Sequence, residues 1–390
     1  MSQINIRNLS NENDDGSPDI IGISTFSATS FFVPPKGNTA ERPSDCEPGS
    51  IRFNTDTSNL EYFRGKTIGW SQFELVNPNL GGGTGSNTGL GTRGIIGGGT
   101  RSPAAVNEIR YITLSTMGAD QDFGDLTHAA KRYLMGMASR TRGVFAGGAP
   151  STSPYGSTTD MEFITHASRG DGTDFGDCST SQRGAGCADQ TRGVFTLGNV
   201  SPYNIIDYIT IASAGSSRDF GDLSNSHRNI DGSACSSSTR GIFAGSYTPS
   251  TALGRDDINF VTISTQGDST DFGTLSTITF AQQSSSSNST RAIFAGGYHS
   301  GAQDKIQFIT IASTGNTTDF GDLTNPRKRS QQASSPTRAV IIGGGIAPSE
   351  GNVTSMEKVE ILTTGASVDF GSLANGVQAA GYFSNGHGGL

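Results

Sequence analysis

Residues 290–337 carry the pattern that dominates the chain: TRAIFAGGYHSGAQDKIQFITIASTGNTTDFGDLTNPRKRSQQASSPT. The run RAIFAGG is apolar and closes on a glycine pair, which predicts a short strand ending where the backbone takes positive φ. In IQFITIAS, Ile306, Phe308 and Thr310 alternate with Gln307, Ile309 and Ile311. Both sets are largely apolar, so this strand is expected to be covered on both sides. Gly315 turns the chain, TDFGDL supplies a third strand, and the serine-rich run before the next Thr-Arg supplies a fourth.

The unit recurs. Asp-Phe-Gly begins at Asp122, Asp174, Asp219, Asp271, Asp319 and Asp369, at intervals of 52, 45, 52, 48 and 50 residues. A second anchor, Thr-Arg followed by Gly or Ala and two apolar residues, places Arg93, Arg142, Arg192, Arg240, Arg291 and Arg338. Six copies of two anchors, a period near 50 and no helical pattern predict an all-β fold. The expected architecture is a six-bladed β-propeller over residues 92–390, each four-stranded blade burying its faces against its neighbours. The phenylalanines (Phe123, Phe175, Phe220, Phe272, Phe320 and Phe370) are expected to wedge between blades, and the glycine after each to permit close approach or a bulge. For the recurring Asp and Arg the expectation is a repeated structural hydrogen bond or ion pair, with a ring of six metal or ligand sites as the alternative. The tail ANGVQAAGYFSNGHGGL matches the segment that elsewhere precedes Thr-Arg, as in THAAKRYLMGMASRTRG. The last residues are therefore expected to form the inner strand of the first blade and close the ring. Asp-Phe-Gly also holds magnesium in protein kinases, but a catalytic aspartate is needed once. A kinase further requires a Gly-rich loop, a strand lysine and a His-Arg-Asp loop in order, and only HRN at His227 is found.

The end of the strand typified by IQFITIAS (Thr113, Thr165, Thr210, Thr262, Thr310 or Glu360) always lies nine positions before the repeat aspartate. By contrast, the anchor arginine lies 18 to 23 residues before that strand end, and 17 to 20 residues run from Asp-Phe-Gly to the next Thr-Arg. In an up-and-down blade both variable connections emerge on one face, where binding is expected. They carry Tyr155, Tyr203, Tyr247, Tyr298 and His299 amid Ser, Asn, Gly and Asp. Tyrosine offers rigid amphipathic area suited to recognition, including stacking on sugars, so these five are the receptor-binding candidates. The plainer reading is that they cover the rim.

Charge narrows the partners. The net charge is −8, and no basic stripe alternates with aromatics, which argues against nucleic acid. The one basic run, Arg327, Lys328 and Arg329, reads as a solvated loop. Glycine is abundant (54) and charged residues few (16%), but the apolar residues recur at fixed places, so the bias reflects turns and not disorder. No apolar stretch reaches the ~18 residues needed for membrane insertion. The start MSQINIRNLSNENDDGSPD is not a secretory signal. The four cysteines lack zinc-type spacing; Cys178 replaces the leucine of DFGDL, and Cys187 and Cys235 both lie four residues before the Thr of Thr-Arg, as buried thiols would. No metal and no cofactor are expected.

Residues 1–80 read as a separate β-rich module. IRFN and LEYF around TDTSN predict a hairpin over 51–63, near the sole tryptophan, Trp70. Pro34, Pro35 and Pro43 keep the preceding segment extended. GGGTGSNTGLG, residues 81–91, reads as a flexible tether.

The repeat plan resembles a kelch propeller: a strand ending in Gly-Gly, a strand like IDYITIAS, then an aromatic, with phenylalanine where kelch usually has tryptophan. Repeats such as YITIASTGNTTDFGDLT joined to TRGVFAGG more closely resemble virion proteins of marine tailed phages, including cyanophages. So does SFFVPPKGNTAERPSDCEPGSIRFNTDTSNLEYFRGKTIGW. The resemblance implies a structural virion protein, tail- or fibre-associated and assembled in the host cytoplasm. Residues 1–80 would attach it, in multiple copies, to other virion proteins, and the propeller would meet a host surface glycan or protein. The alternative is a tail or capsid decoration protein whose propeller binds only virion proteins. An enzyme is not expected. The Ser-x-Asp-x-Gly-x-Thr-Trp boxes of sialidases are absent. Acids such as Asp160, Glu162, Asp256, Asp257 and Glu350 are scattered and form no unique pair of the kind a glycosidase needs.

Overall fold

A computed structural model of the protein describes residues 34–72 and 92–390, apart from 58, 151–155, 182, 199–200, 202, 225–232, 248–253, 280–282 and 347–350; of residues 59, 246, 247 and 277–279 only the backbone is described. The tether expected at 81–91 lies outside the described residues. The chain divides into two compact units, Met1–Pro78 and Asn79–Leu390.

In the first unit, Lys36–Gly37, Ile51–Asn54, Asn59–Phe63 and Trp70–Gln72 form one sheet in that order. The hairpin falls where its turn residues put it, with Ile51 opposite Tyr62 and Asn54 opposite Asn59. One face buries polar side chains: Arg42 pairs with Glu61, and Asn54 Nδ2 donates to Glu61 Oε1 at 2.7 Å. The arginine holds the Glu61 carboxyl below its usual range. On the other face Ile51 and Leu60 remain 50% and 42% exposed. Trp70 Nε1 donates to Pro43 O (2.9 Å), which ties down the extended segment before the hairpin.

Among its described residues the second unit is all-β, with six four-stranded antiparallel sheets and two small two-stranded ones in a propeller-like arrangement. Sheet 2 is typical, with the order Met135–Ala138, Arg142–Ala146, Asp160–Thr165, Thr173–Asp177. Sheets 3 to 6 repeat it, with inner strands Gly186–Ala188, Ala234–Ser236, Ser284–Ser287 and Gln331–Ser334. Sheet 1 joins the two ends of the unit. Its inner strand is Gly381–Ser384, paired with Arg93–Gly97, and Glu108–Thr113 and Gln121–Asp125 follow. The tail thus takes the place its sequence assigned it. The glycine pairs closing the second strands have positive φ, +63° and +99° at Gly98 and Gly99.

The repeat phenylalanines bind sheet to sheet. Phe123 packs with Ile109 of its own sheet and with Phe145 and Ile164 of sheet 2. Phe175, Phe220, Phe272 and Phe320 do the same at the next four junctions. Phe370 joins sheet 6 to Ile96 and Ile112 of sheet 1. Beside each phenylalanine the backbones nearly touch. A Cβ on Gly124, Gly221 or Gly371 would lie 2.3–2.5 Å from the turn glycine of the following sheet (Gly170, Gly267 or Gly118). That turn glycine donates its N–H to the phenylalanine carbonyl at every junction, at 2.6–3.2 Å, including Gly118 N to Phe370 O.

The anchor arginines also work between sheets, although not with the aspartates. Arg142 Nη1 donates to Ile211 O and Ala212 O, at 3.2 and 2.9 Å. Arg192, Arg240, Arg291 and Arg338 likewise reach the carbonyls of Ile263, Ile311, Ile361 and Leu114, and Arg93 reaches His166 O. Five of the six lie over an aromatic of their own third strand, as Arg142 does over Phe163 at 4.1 Å. The expected Arg–Asp ion pair is therefore corrected. Arg142 lies opposite Thr165 and Asp174 opposite Glu162. Those two positions are three apart on one strand and point to opposite faces. All six Asp-Phe-Gly aspartates are exposed.

The solvated basic loop is corrected as well. Arg327 and Lys328 are only 1% and 6% exposed. The outer strand Thr318–Arg327 continues past DFGDL and delivers Arg327 to Glu357 of the next sheet, where its guanidinium also donates to Gly343 O and Ser355 O, each at 3.2 Å. A carboxylate inside the fold draws the cation in.

Candidate functional site

The two variable connections do share one face. Lys131–Arg132, before the inner strand of sheet 2, pairs with Ala149–Pro150 after its second strand. Lys328 bridges Gly345, and Gln378 bridges Thr100, in the same way.

Of the five receptor candidates, the side chains of Tyr203, Tyr298 and His299 are described. Tyr155 lies outside the described residues, and of Tyr247 only the backbone is described, opposite Gly254. Tyr203 is half-buried with φ +67°. Tyr298 is half-buried beneath the Lys328 ammonium, 4.9 Å from the ring centroid. His299 is exposed, and its N–H is tied to Gly301 O at 2.9 Å. Among the described residues no ring contact joins Tyr203 to Tyr298.

Beside the start of the inner strands, the same face carries a cationic cluster that has no counterpart in the repeat pattern. The guanidinium carbons of Arg132, Arg183 and Arg329 lie 5.5, 4.9 and 5.6 Å from the centroid of the Tyr133 ring. Tyr133, Arg329 and Ala379 lead into the inner strands of sheets 2, 6 and 1, and all three have positive φ (+60°, +53° and +54°). Their backbones are joined: Tyr133 N donates to Ala379 O at 2.7 Å, and Ala379 N to Arg329 O at 3.0 Å.

Behind this mouth, the inner strands enclose a cavity of ≈ 40 Å³ lined by Met137, Cys187, Cys235, Ser286, Gln332 and Tyr382 among others. That is room for about two or three water molecules. The Gln332 amide is buried there and makes no hydrogen bond among the described residues. Burial pushes the Cys235 thiol up to about 12 and the Cys187 thiol well above its ordinary value, which disfavours the thiolate at both. The far end is sealed by the tail. His387 Nε2 lies 2.8 Å from Ala138 O, and a Cβ on Gly389 would stand 1.9 Å from Ala188 O.

No family model matches this chain, and no curated protein matches it in sequence.

A second set of residues missed from sequence is the polar position in every third strand: Arg110, Glu162, Asp207, Asn259, Gln307 and Glu357. Each follows a bulge. The side chain grips the segment after DFGxL in the preceding sheet, as Thr127 N donates to Glu162 Oε2 (2.6 Å) and Ser276 N to Gln307 Oε1 (2.8 Å). In sheet 1 the part is taken by Asp120, which pairs with Arg110 and accepts from Ala374 N at 2.7 Å. The signal was available: one polar residue recurs between an apolar residue and, in five of six units, an aromatic.

Burial lowers His387 to about 4 and His166 to about 3. Both are neutral in the fold, and His387 Nδ1 accepts from Gly389 N at 3.1 Å. The unfolded chain takes up these protons near pH 6.5, so their contribution is complete above that pH and is lost as the pH falls towards 4 for His387 and towards 3 for His166. At about 1.4 kcal/mol per unit, His387 contributes on the order of 3 kcal/mol to this loss. Melting temperature is expected to fall over that window, and less steeply in His387→Gln. Equal slopes for parent and variant would refute the assignment to His387.

Proposed function

We propose that the six sheets are the blades of a closed, six-bladed, kelch-like β-propeller, and that the protein is a structural component of a tailed-phage virion. In this reading residues 1–80 attach it to the particle at the tail or fibre, in several copies, and the loop face meets a host surface glycan or protein. Weak single contacts would add up through avidity.

The observation that carries the reading is the asymmetry between the two ends of the ring. One end has uniform turns and carries residues 385–390, packed against Ala138 O and Ala188 O; the other carries the connections of unequal length. Variation confined to one side of a repeat array is what a recognition surface requires. The phage context rests on the resemblance of the repeats and of the amino-terminal stretch. We read the protein as non-catalytic, because the buried acids Glu162, Asp207 and Glu357 are each engaged by the neighbouring sheet.

The reading is tested by locating the chain in a cryo-EM map of the particle. The expected result is a tail or fibre position with Tyr203 and Tyr298 facing outward. A loop face buried against another virion protein would instead favour the decoration role, and absence from the particle would dispose of both.

A further inference from the structure

We infer that the cavity between the inner strands is a hydration site, in which two or three ordered water molecules join Gln332 of sheet 6 to Ser286 of sheet 5. The inference does not depend on what the loop face contacts.

The sequence of the inner strands creates the need. Opposite a Val or Ile of the second strand, sheets 2, 3 and 4 carry Met137, Cys187 and Cys235, while sheet 5 carries Ser286. One position earlier, the glycine or alanine of sheets 2 to 4 gives way to Gln332 in sheet 6. The strands Ser284–Ser287 and Gln331–Ser334 read SSSS and QQAS, and every residue of both is buried. Hydroxyls and amides in such a place need hydrogen-bond partners.

The serines at the strand ends find theirs in the protein. Ser384 Oγ donates to Ser334 O, Ser334 Oγ to Ser287 O, Ser287 Oγ to Ser236 O and Ser236 Oγ to Ala188 O, all at 2.6–2.8 Å. This belt runs from sheet 1 through sheets 6, 5 and 4 to sheet 3 and occupies both the hydroxyls and the carbonyls along it. Gln332 and Ser286 stay outside it. Gln332 is 1% exposed, and neither its Oε1 nor its Nε2 makes a hydrogen bond among the described residues. Ser286 is 6% exposed, and its Oγ makes none either. Both side chains line the cavity, whose ≈ 40 Å³ admits waters and little else. Water both donates and accepts, so it serves the amide oxygen, the amide N–H and the hydroxyl together. A cation would serve the oxygens and leave the amide N–H facing a like charge.

The test is a structure of the full chain at a resolution that shows ordered solvent. Two or three peaks are expected in the cavity, one within about 2.7–3.2 Å of the Gln332 Nε2 and one within the same reach of Ser286 Oγ. In Gln332→Met, which keeps the length of the side chain and removes both polar atoms, the peak beside the amide is expected to vanish. Chemical denaturation of Gln332→Met, Ser286→Ala and the double variant is the second measurement. Because water links the two side chains, their effects on the unfolding equilibrium constant are expected to depart from additivity by at least about twofold. A cavity without peaks, a peak bonded to oxygens alone, or a Gln332 amide turned onto a protein group overturns the proposal, and so do additive effects. The parent structure decides the matter even where a variant does not fold.

Discussion

Deleting residues 381–390 is expected to unfold the whole of residues 92–390, not to fray one edge. The deletion removes the inner strand of sheet 1 and exposes the ladder side of Arg93–Gly97. It also removes Phe383, which is buried 4.6 Å from the Phe145 ring, and Asn385, whose Oδ1 accepts from Arg93 N at 2.8 Å. Phe383→Ala alone should cost about 3–5 kcal/mol. Domains are typically stable by only about 5–15 kcal/mol, so losing the strand, the ring and the tail together exceeds what the remaining contacts can offset. Thermal melting followed by near-ultraviolet circular dichroism is the measurement. The expected outcome is no cooperative transition in the truncated chain, with Phe383→Ala intermediate. A truncated chain that melts like the parent would mean that residues 92–380 hold together without the tail strand.

Gly371→Ala is expected to destabilise by more than about 3 kcal/mol, and Gly118→Ala by about 1 kcal/mol. Both residues have positive φ, +145° and +154°, so each substitution carries a backbone penalty. The surroundings differ. A Cβ at Gly371 would lie 2.3 Å from Gly118 O, across the junction of sheets 6 and 1, whereas one at Gly118 meets nothing within 4 Å. The difference between the two variants in chemical denaturation therefore isolates the close approach of the two sheets. Similar losses would show that the junction is looser than described.

The period, the strands and the role of the tail were legible because each is written as a recurrence or as a match in length. What each recurring residue touches was not. Arg142 recurs visibly, but its partner is a carbonyl about 70 positions away, and a carbonyl has no sequence signature. The aspartates recur just as visibly and face solvent. In the third strand, Gln307 was read as one polar member of an apolar set, because a bulge that turns it towards the neighbouring sheet is invisible in an alternation pattern. Arg327 and the cluster around Tyr133 have no counterpart in every unit. Comparing units against one another cannot reveal them, and only spatial proximity does.

The chain enters the second unit's sheets through Arg93–Gly97. Arg93–Gly97 is not an edge strand: it is paired with Gly381–Ser384 on one side and with Glu108–Thr113 on the other. Ladder bonds run perpendicular to the strands. A mechanical pull on residue 92 along that strand therefore loads two ladders in shear simultaneously and cannot peel an outer strand bond by bond. A leash fastened at that point would hold against drag, while any force that slid the tail strand free would release it abruptly.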